Sequence, residues 1–114
     1  MVTLEKLREL GLSFTESTEE PHFEKTSFRV QGKIFATYNA AEHRLVVKLT
    51  PVQQSVFGAF DKTICYPVPN KWGLQGWTVT ELAKVESEFV MDILKTSYCN
   101  VAPKKLAERY AEKY

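Results

Sequence analysis

Histidine and cysteine are scarce in this sequence, and their scarcity removes many familiar chemistries. The two histidines, His22 and His43, stand alone, and neither has a partner at a metal-ligand spacing. Cys65 and Cys99 form no CxxC pair and no zinc-like pattern. They read as two reduced, partly buried thiols, with a disulfide or a reactive thiol as the alternatives. A GxSxG elbow, an HExxH pair and a paired-carboxylate motif on a recognisable helix are all missing, so no catalytic residue, cofactor or metal is assigned. Apolar runs are short, and none approaches the ~20 residues needed to cross a membrane. The opening MVTLEKLREL alternates charge with leucine and lacks the apolar core of a signal peptide, which points to the cytoplasm. An excess of one charge sign is missing too. Lysine and arginine number 15 against 14 aspartate and glutamate, a net charge of +1, whereas nucleic-acid-binding domains are often strongly basic.

What is present is an ordinary globular balance. A chain of 114 residues, 44% hydrophobic and 25% charged, fits one domain over residues 1–114 with one core. Residues 3–10 read as a helix with Leu4, Leu7 and Leu10 on one side. Thr3 caps it, Lys6 replaces the glutamate of a full capping box, and Gly11 stops it. The polar stretch 13–26, with Pro21, reads as at most a short strand near Phe14 and then a loop. Residues 27–50 (SFRV, KIFATYN, RLVVKLT) are rich in β-branched and aromatic side chains and predict a three-stranded antiparallel meander. Pro51 opens a short helix with Val52, Val56 and Phe60 in one row. ICYPVP (64–69) is an edge strand or loop, NKWGLQG (70–76) a turn-rich loop, and WTVTEL (77–82) a strand. Residues 85–100 return to helical period through Phe89, Val90, Ile93, Leu94, Ser97 and Tyr98. Pro103 then starts a last helix carrying Leu106, Tyr110 and Tyr114 on one face. The order α-β-β-β-α-β-β-α-α gives an α+β fold, a mostly antiparallel sheet with helices packed on it.

Gly32-Lys33 in FRVQGKIFATY invites a phosphate-loop reading, which fails. A P-loop needs GxxxxGK[ST] before a helix. Here Ser27 stands at the first glycine position, Ile34 follows the lysine, and a strand comes next. Gln31-Gly32 therefore reads as a two-residue hairpin turn. That turn sets Val30 opposite Lys33, Arg29 opposite Ile34 and Phe28 opposite Phe35. If Tyr38 then pairs with Arg44, Ala36 meets Val46 and Ile34 meets Lys48. One face holds Phe28, Val30, Phe35, Leu45, Val47 and Leu49, with Lys33 and Thr37 on the same side. The other holds Arg29, Ile34, Ala36, Tyr38, Arg44, Val46 and Lys48. The second face is either a phosphate-meeting surface with Tyr38 as a stacking ring, or a solvated sheet face.

Charge is distributed as modest patches. Lys6 and Arg8 are outnumbered by Glu5, Glu9, Glu16, Glu19 and Glu20, whereas Lys25, Arg29, Lys33, Arg44 and Lys48 outnumber Glu24 and Glu42. KWGLQGW (71–77) holds both tryptophans. Core anchoring is the first expectation for them, and Lys71-Trp72 at a loop tip is the best single partner contact. The weakly basic amphipathic C-terminal segment either docks on a partner or packs on its own domain.

Four stretches, EEPHFEKTSFRVQGKIFATY, RLVVKLTPVQQ, WGLQGWTVTEL and SYCNVAPKKLAE, together and in this order resemble the bacterial MmcQ/YjbR family over nearly the whole chain. The resemblance implies a fold similar to the type III secretion chaperone-like α+β fold and a small bacterial cytoplasmic protein. Members are described as DNA-binding with a double-wing arrangement. No catalytic residues are established for the family, and none is carried over. The leading expectation is weak, phosphate-directed DNA binding through Arg29, Lys33, Arg44, Lys48 and Lys71, with Tyr38 and Trp72 as stacking rings. The alternative is a protein-interaction module, chaperone-like or a dimeric adaptor, existing as a monomer or weak dimer. A small-molecule site beside Trp72 and Trp77 is a third option.

Overall fold

The computed structural model describes residues 1–110. Its elements are α1 (Leu4–Gly11), β1 (Ser17–His22), β2 (Lys25–Val30), β3 (Lys33–Asn39), β4 (Arg44–Lys48), α2 (Pro51–Phe60), β5 (Cys65–Pro67), α3 (Lys71–Leu74), β6 (Trp77–Glu81), α4 (Ser87–Val101) and α5 (Lys104–Ala107), with a 3-10 turn at Leu82–Lys84. The six strands form one antiparallel sheet in the order β1-β2-β3-β4-β6-β5. This is the expected α+β architecture with two elements added, β1 and α3.

The strand at residues 17–22 replaces the expected loop. STEEPH is polar on both faces and contains a proline, so neither alternation nor β-propensity marks it. Its backbone ladder with β2 holds it, from Ser17 opposite Val30 to His22 opposite Lys25. At the sheet edge a proline removes no partner's bond, and carboxylates discourage edge-to-edge pairing. Residues 71–74 are likewise one helical turn, because the Asn70 side chain accepts from the Trp72 amide and caps it.

The Gln31-Gly32 turn has φ of 49° and 80°, the positive pair that two-residue hairpins require. Val30 opposite Lys33 and Arg29 opposite Ile34 follow as expected. Phe28, however, pairs with Ala36, so Phe35 is an extra residue in a β-bulge. Beyond it every partner moves by one: Thr37 meets Val46, Tyr38 meets Leu45, and Asn39 meets Arg44. A one-residue shift exchanges faces. Ala36 and Tyr38 therefore join Phe28, Phe35, Leu45 and Val47 in the core, and Thr37 and Asn39 join the open face.

Among the described residues, α1, α2 and α4 lie on one side of the sheet. α4 lies on β3 and β4, α1 packs on α4, and α2 covers β5. Val90, Ile93, Leu94, Ser97 and Tyr98 point from α4 into the core. Phe14, Phe35, Tyr98 and Tyr110 form an aromatic cluster at centroid distances of 4.9–6.2 Å. Gly11 ends α1 inside the helix, and its role is contact: a Cβ there would lie 2.8 Å from the Phe28 ring. The expected last helix is short, with Leu106 buried and Tyr110 turned into the aromatic cluster. Tyr114 lies outside the described residues.

Candidate functional site

The uncovered face of the sheet is concave. Ile34, Val46, Val79 and Trp77 line a cleft of about 590 Å³, with Val46 opposite Val79 and Lys48 opposite Trp77 in the β4–β6 ladder. Val68, Pro69, Asn70 and Trp72 also line it, from the segment that leads into α3. His22 and Lys25 come from the β1–β2 hairpin, and Asn39, Glu42 and Arg44 from around the β3–β4 turn. This size and lining, apolar with a few convergent polar groups, is typical of ligand clefts.

Two glycines and a glutamine fix the tryptophan side. A Cβ on Gly73 would meet the Val68 carbonyl at 2.0 Å, and one on Gly76, at φ +102°, would meet the Leu49 carbonyl at 1.7 Å. Only glycine allows these approaches. The Gln54 side-chain amide reaches out of α2 to the Gly73 carbonyl at 3.0 Å, the Trp77 carbonyl at 3.2 Å and the Thr78 hydroxyl at 3.0 Å. Trp72 is half exposed at 50% and Trp77 partly buried, so neither is the core anchor that composition suggests.

The basic residues on this face are largely engaged. The Arg44 Nε donates to the Glu81 carboxylate at 2.9 Å, its other arm pairs with Glu42, and the Tyr66 hydroxyl also donates to Glu81. Burial, and then the adjoining Glu81, push the Tyr66 phenol above its ordinary pKa. Arg29 donates to the Ser27 hydroxyl at 2.9 Å and stands 4.0 Å from Glu20. Lys48 reaches the Gln75 carbonyl with its ammonium 5.4 Å above the Trp77 ring, and the Lys71 ammonium lies 5.7 Å from the Trp72 ring. Lys25 and Lys33 are exposed, and no carboxylate lies within ion-pair distance of either among the described residues.

Of the seven residues expected from the sequence, Arg44 and Trp72 line the cleft, and Lys48 and Lys71 sit over its two indoles. Arg29 is on the open face but tied to β1, and Lys33 projects from the hairpin turn. Tyr38 is the correction. It is 6% exposed, lies among the helices, and is hydrogen-bonded through its hydroxyl to His43 Nδ1 at 2.9 Å, so it offers no stacking ring on the open face. His22, Lys25, Glu42, Tyr66, Trp77 and Glu81 complete the site. Alternation within β5 and β6 places Tyr66, Trp77 and Glu81 there, whereas His22 and Lys25 become visible only once β1 is recognised. Phe23, exposed at the tip of that hairpin with φ of 57°, is also unmarked in the sequence. A bulky residue in the left-handed region is a costly placement that recurs at functional surfaces.

A six-stranded antiparallel sheet, helix-covered on one side and open in a tryptophan-walled cleft on the other, defines an α+β protein with one open, cleft-bearing face. Residues 12–100 match the family model described as YjbR, and the chain belongs to that family. The crystal structure of Deinococcus radiodurans protein DR2400, family-model domain DUF419, is similar in fold. Its TM-score is 0.77 over 96% of this chain and 88% of that one, at 22% identity. No curated protein matches the chain.

Proposed function

We propose that this is a non-catalytic binding protein of the bacterial cytoplasm that holds single-stranded DNA across the open sheet face, with an unstacked base in the cleft. The observation that carries the reading is the pairing of each cleft indole with a lysine, Trp77 with Lys48 and Trp72 with Lys71, while Lys25 lines the same cleft. Aromatic walls and a few cations suit successive bases and their phosphates in a flexible strand. A duplex draws its affinity from many phosphate contacts. Here Arg29 and Arg44 are already committed to carboxylates, which disfavours that mode.

The test is fluorescence anisotropy with a labelled oligothymidine and a matching duplex at low and moderate salt, followed in parallel by quenching of the two tryptophans. Single-strand binding is expected in the weak range of about 10⁻⁴–10⁻⁶ M. With roughly three phosphate contacts, log K should fall with log salt at a slope of about −2. Trp72→Ala should weaken it by about 5-fold or more, the loss of one stacked base. Tighter binding to the duplex, or no binding to either at low salt, overturns the proposal.

A further inference from the structure

The β1–β2 hairpin turns on Phe23 and Glu24, between His22 and its ladder partner Lys25. Phe23 has φ of 57° and is 94% exposed, the most exposed large apolar residue among those described. Exposure of a single apolar side chain is commonplace. The backbone beneath it is not. A positive φ in a two-residue turn ordinarily falls to glycine, asparagine or aspartate, and a bulky side chain there is strained. The fold returns almost no burial for that strain, since the aromatic neighbour of the ring is His22, at 4.9 Å and 67°. His22 and Lys25 both line the cleft, so the Phe23 ring stands at its rim. Lys25 is exposed, and among the described residues no carboxylate lies within ion-pair distance of it.

We infer that Phe23 is a further stacking ring of the single-strand site, taking a base of the strand as it leaves the cleft past Lys25. The inference rests on the single-strand reading above. One ring between His22 and Glu24 is too small and too isolated for a protein contact, which needs a contiguous patch of several hundred Å². A base needs only one ring face, with a cation nearby for its phosphate. The hairpin thus sets an aromatic ring and a lysine together at one end of the cleft, as Trp77 with Lys48 and Trp72 with Lys71 do at the other. The register sets the length of the track. Thr26, Tyr38, Leu45 and Thr80 stand in one row across β2, β3, β4 and β6, and Trp77 lies three residues away along β6. Three strand spacings and three residues put the hairpin end of β2 about 17 Å from Trp77. That is the span of about five nucleotides at the spacing of a stacked strand.

Anisotropy at low salt with a labelled oligothymidine of about ten nucleotides, longer than this track, tests the ring apart from the backbone. Phe23→Asn removes the ring and suits the left-handed backbone, which asparagine tolerates. It should weaken binding by about 5-fold or more, the loss of one stacked base. Its melting temperature should hold or rise by a few degrees as the strain is relieved. A residue kept for the fold would do the reverse. Phe23→Trp keeps a ring in the same turn and should bind at least as well as the wild type. Binding unchanged in Phe23→Asn overturns the inference, as does Phe23→Trp binding no better than Phe23→Asn. If Trp72→Ala still weakens binding in the same titrations, the single-strand reading stands without it. A clearly lower melting temperature in Phe23→Asn makes Phe23 a structural residue and also overturns the inference. No binding of the oligomer by the wild-type protein overturns both.

Discussion

Arg44 and Glu81 stand directly opposite each other in the β4–β6 ladder, and the guanidinium Nε donates to the carboxylate at 2.9 Å. The pair, with Glu42 on the other arm, neutralises the most central cation of the open face. An anionic ligand in the cleft would be attracted by Lys25, Lys48 and Lys71, or would have to draw Arg44 away from its carboxylates.

The pairing makes Glu42→Gln informative. Glu42 is exposed, so its loss should leave the fold intact and free one arm of Arg44. Affinity for oligothymidine at low salt is expected to rise by about 2- to 5-fold, the size of one screened surface charge. The gain should fade at high salt as the Debye length shortens. Unchanged anisotropy titrations at low salt would count against phosphate-directed binding at this end of the cleft.

Ser97 carries a structural prediction. Its hydroxyl donates to the carbonyl of Phe35, the bulged residue, and accepts the Lys48 amide at 2.8 Å. One buried side chain on α4 thus supplies partners to backbone groups of β3 and β4. Ser97→Ala should cost about 1–3 kcal/mol, since both groups are left without a partner. Urea denaturation is expected to show a lower midpoint with the slope unchanged.

Three glycine-to-alanine changes should fall in a fixed order of severity. Gly32→Ala meets open space and bears only the penalty of φ +80°, roughly 1 kcal/mol. Gly11→Ala gains helix propensity but presses on the Phe28 ring at 2.8 Å, an overpacking cost of about 1–3 kcal/mol. Gly76→Ala combines φ +102° with a 1.7 Å approach to the Leu49 backbone, and should not yield folded protein. Thermal melts of the three, with soluble expression as the readout for Gly76→Ala, check the ranking.

Alkaline pH should unfold this protein early. Burial pushes the Cys65 thiol from 9.0 up to about 11, and burial likewise raises Cys99, Tyr66 and Tyr98. Each group keeps its proton longer in the folded state. Stability should therefore be level below about pH 9 and fall as pH rises through the folded-state values, by about 1.4 kcal/mol per pH unit for each group ionised only when unfolded. Denaturant melts at pH 7, 9 and 10.5 measure the trend. Cys65→Ala should show a shallower loss, and an equal loss would remove Cys65 as a contributor.

The amino-acid sequence by itself determined the α+β class, the β2–β3–β4 meander with its Gln31-Gly32 turn, the helix α2 that Pro51 opens and the buried face of α4. These follow from local periodicity, turn chemistry and caps, which a short window of residues contains. It also carried the family resemblance, and it marked Arg44, Lys48, Lys71 and Trp72 as residues of interest. Tertiary structure decided the rest. Strand β1 has no apolar signature and exists because β2 offers it a ladder. The bulge at Phe35 depends on packing against α4, and it moved Tyr38 from the open face into the core by a single residue of register. Arg44 met Glu81 across 37 positions of sequence, which turned a basic face into a mostly paired one. Gly73 and Gly76 let the α3 segment that walls the cleft close on the backbone carbonyls of Val68, nearby in the chain, and Leu49, far from it. Side-chain identity fixed which surfaces could form, and strand register, a long-range property, fixed what each of them presents.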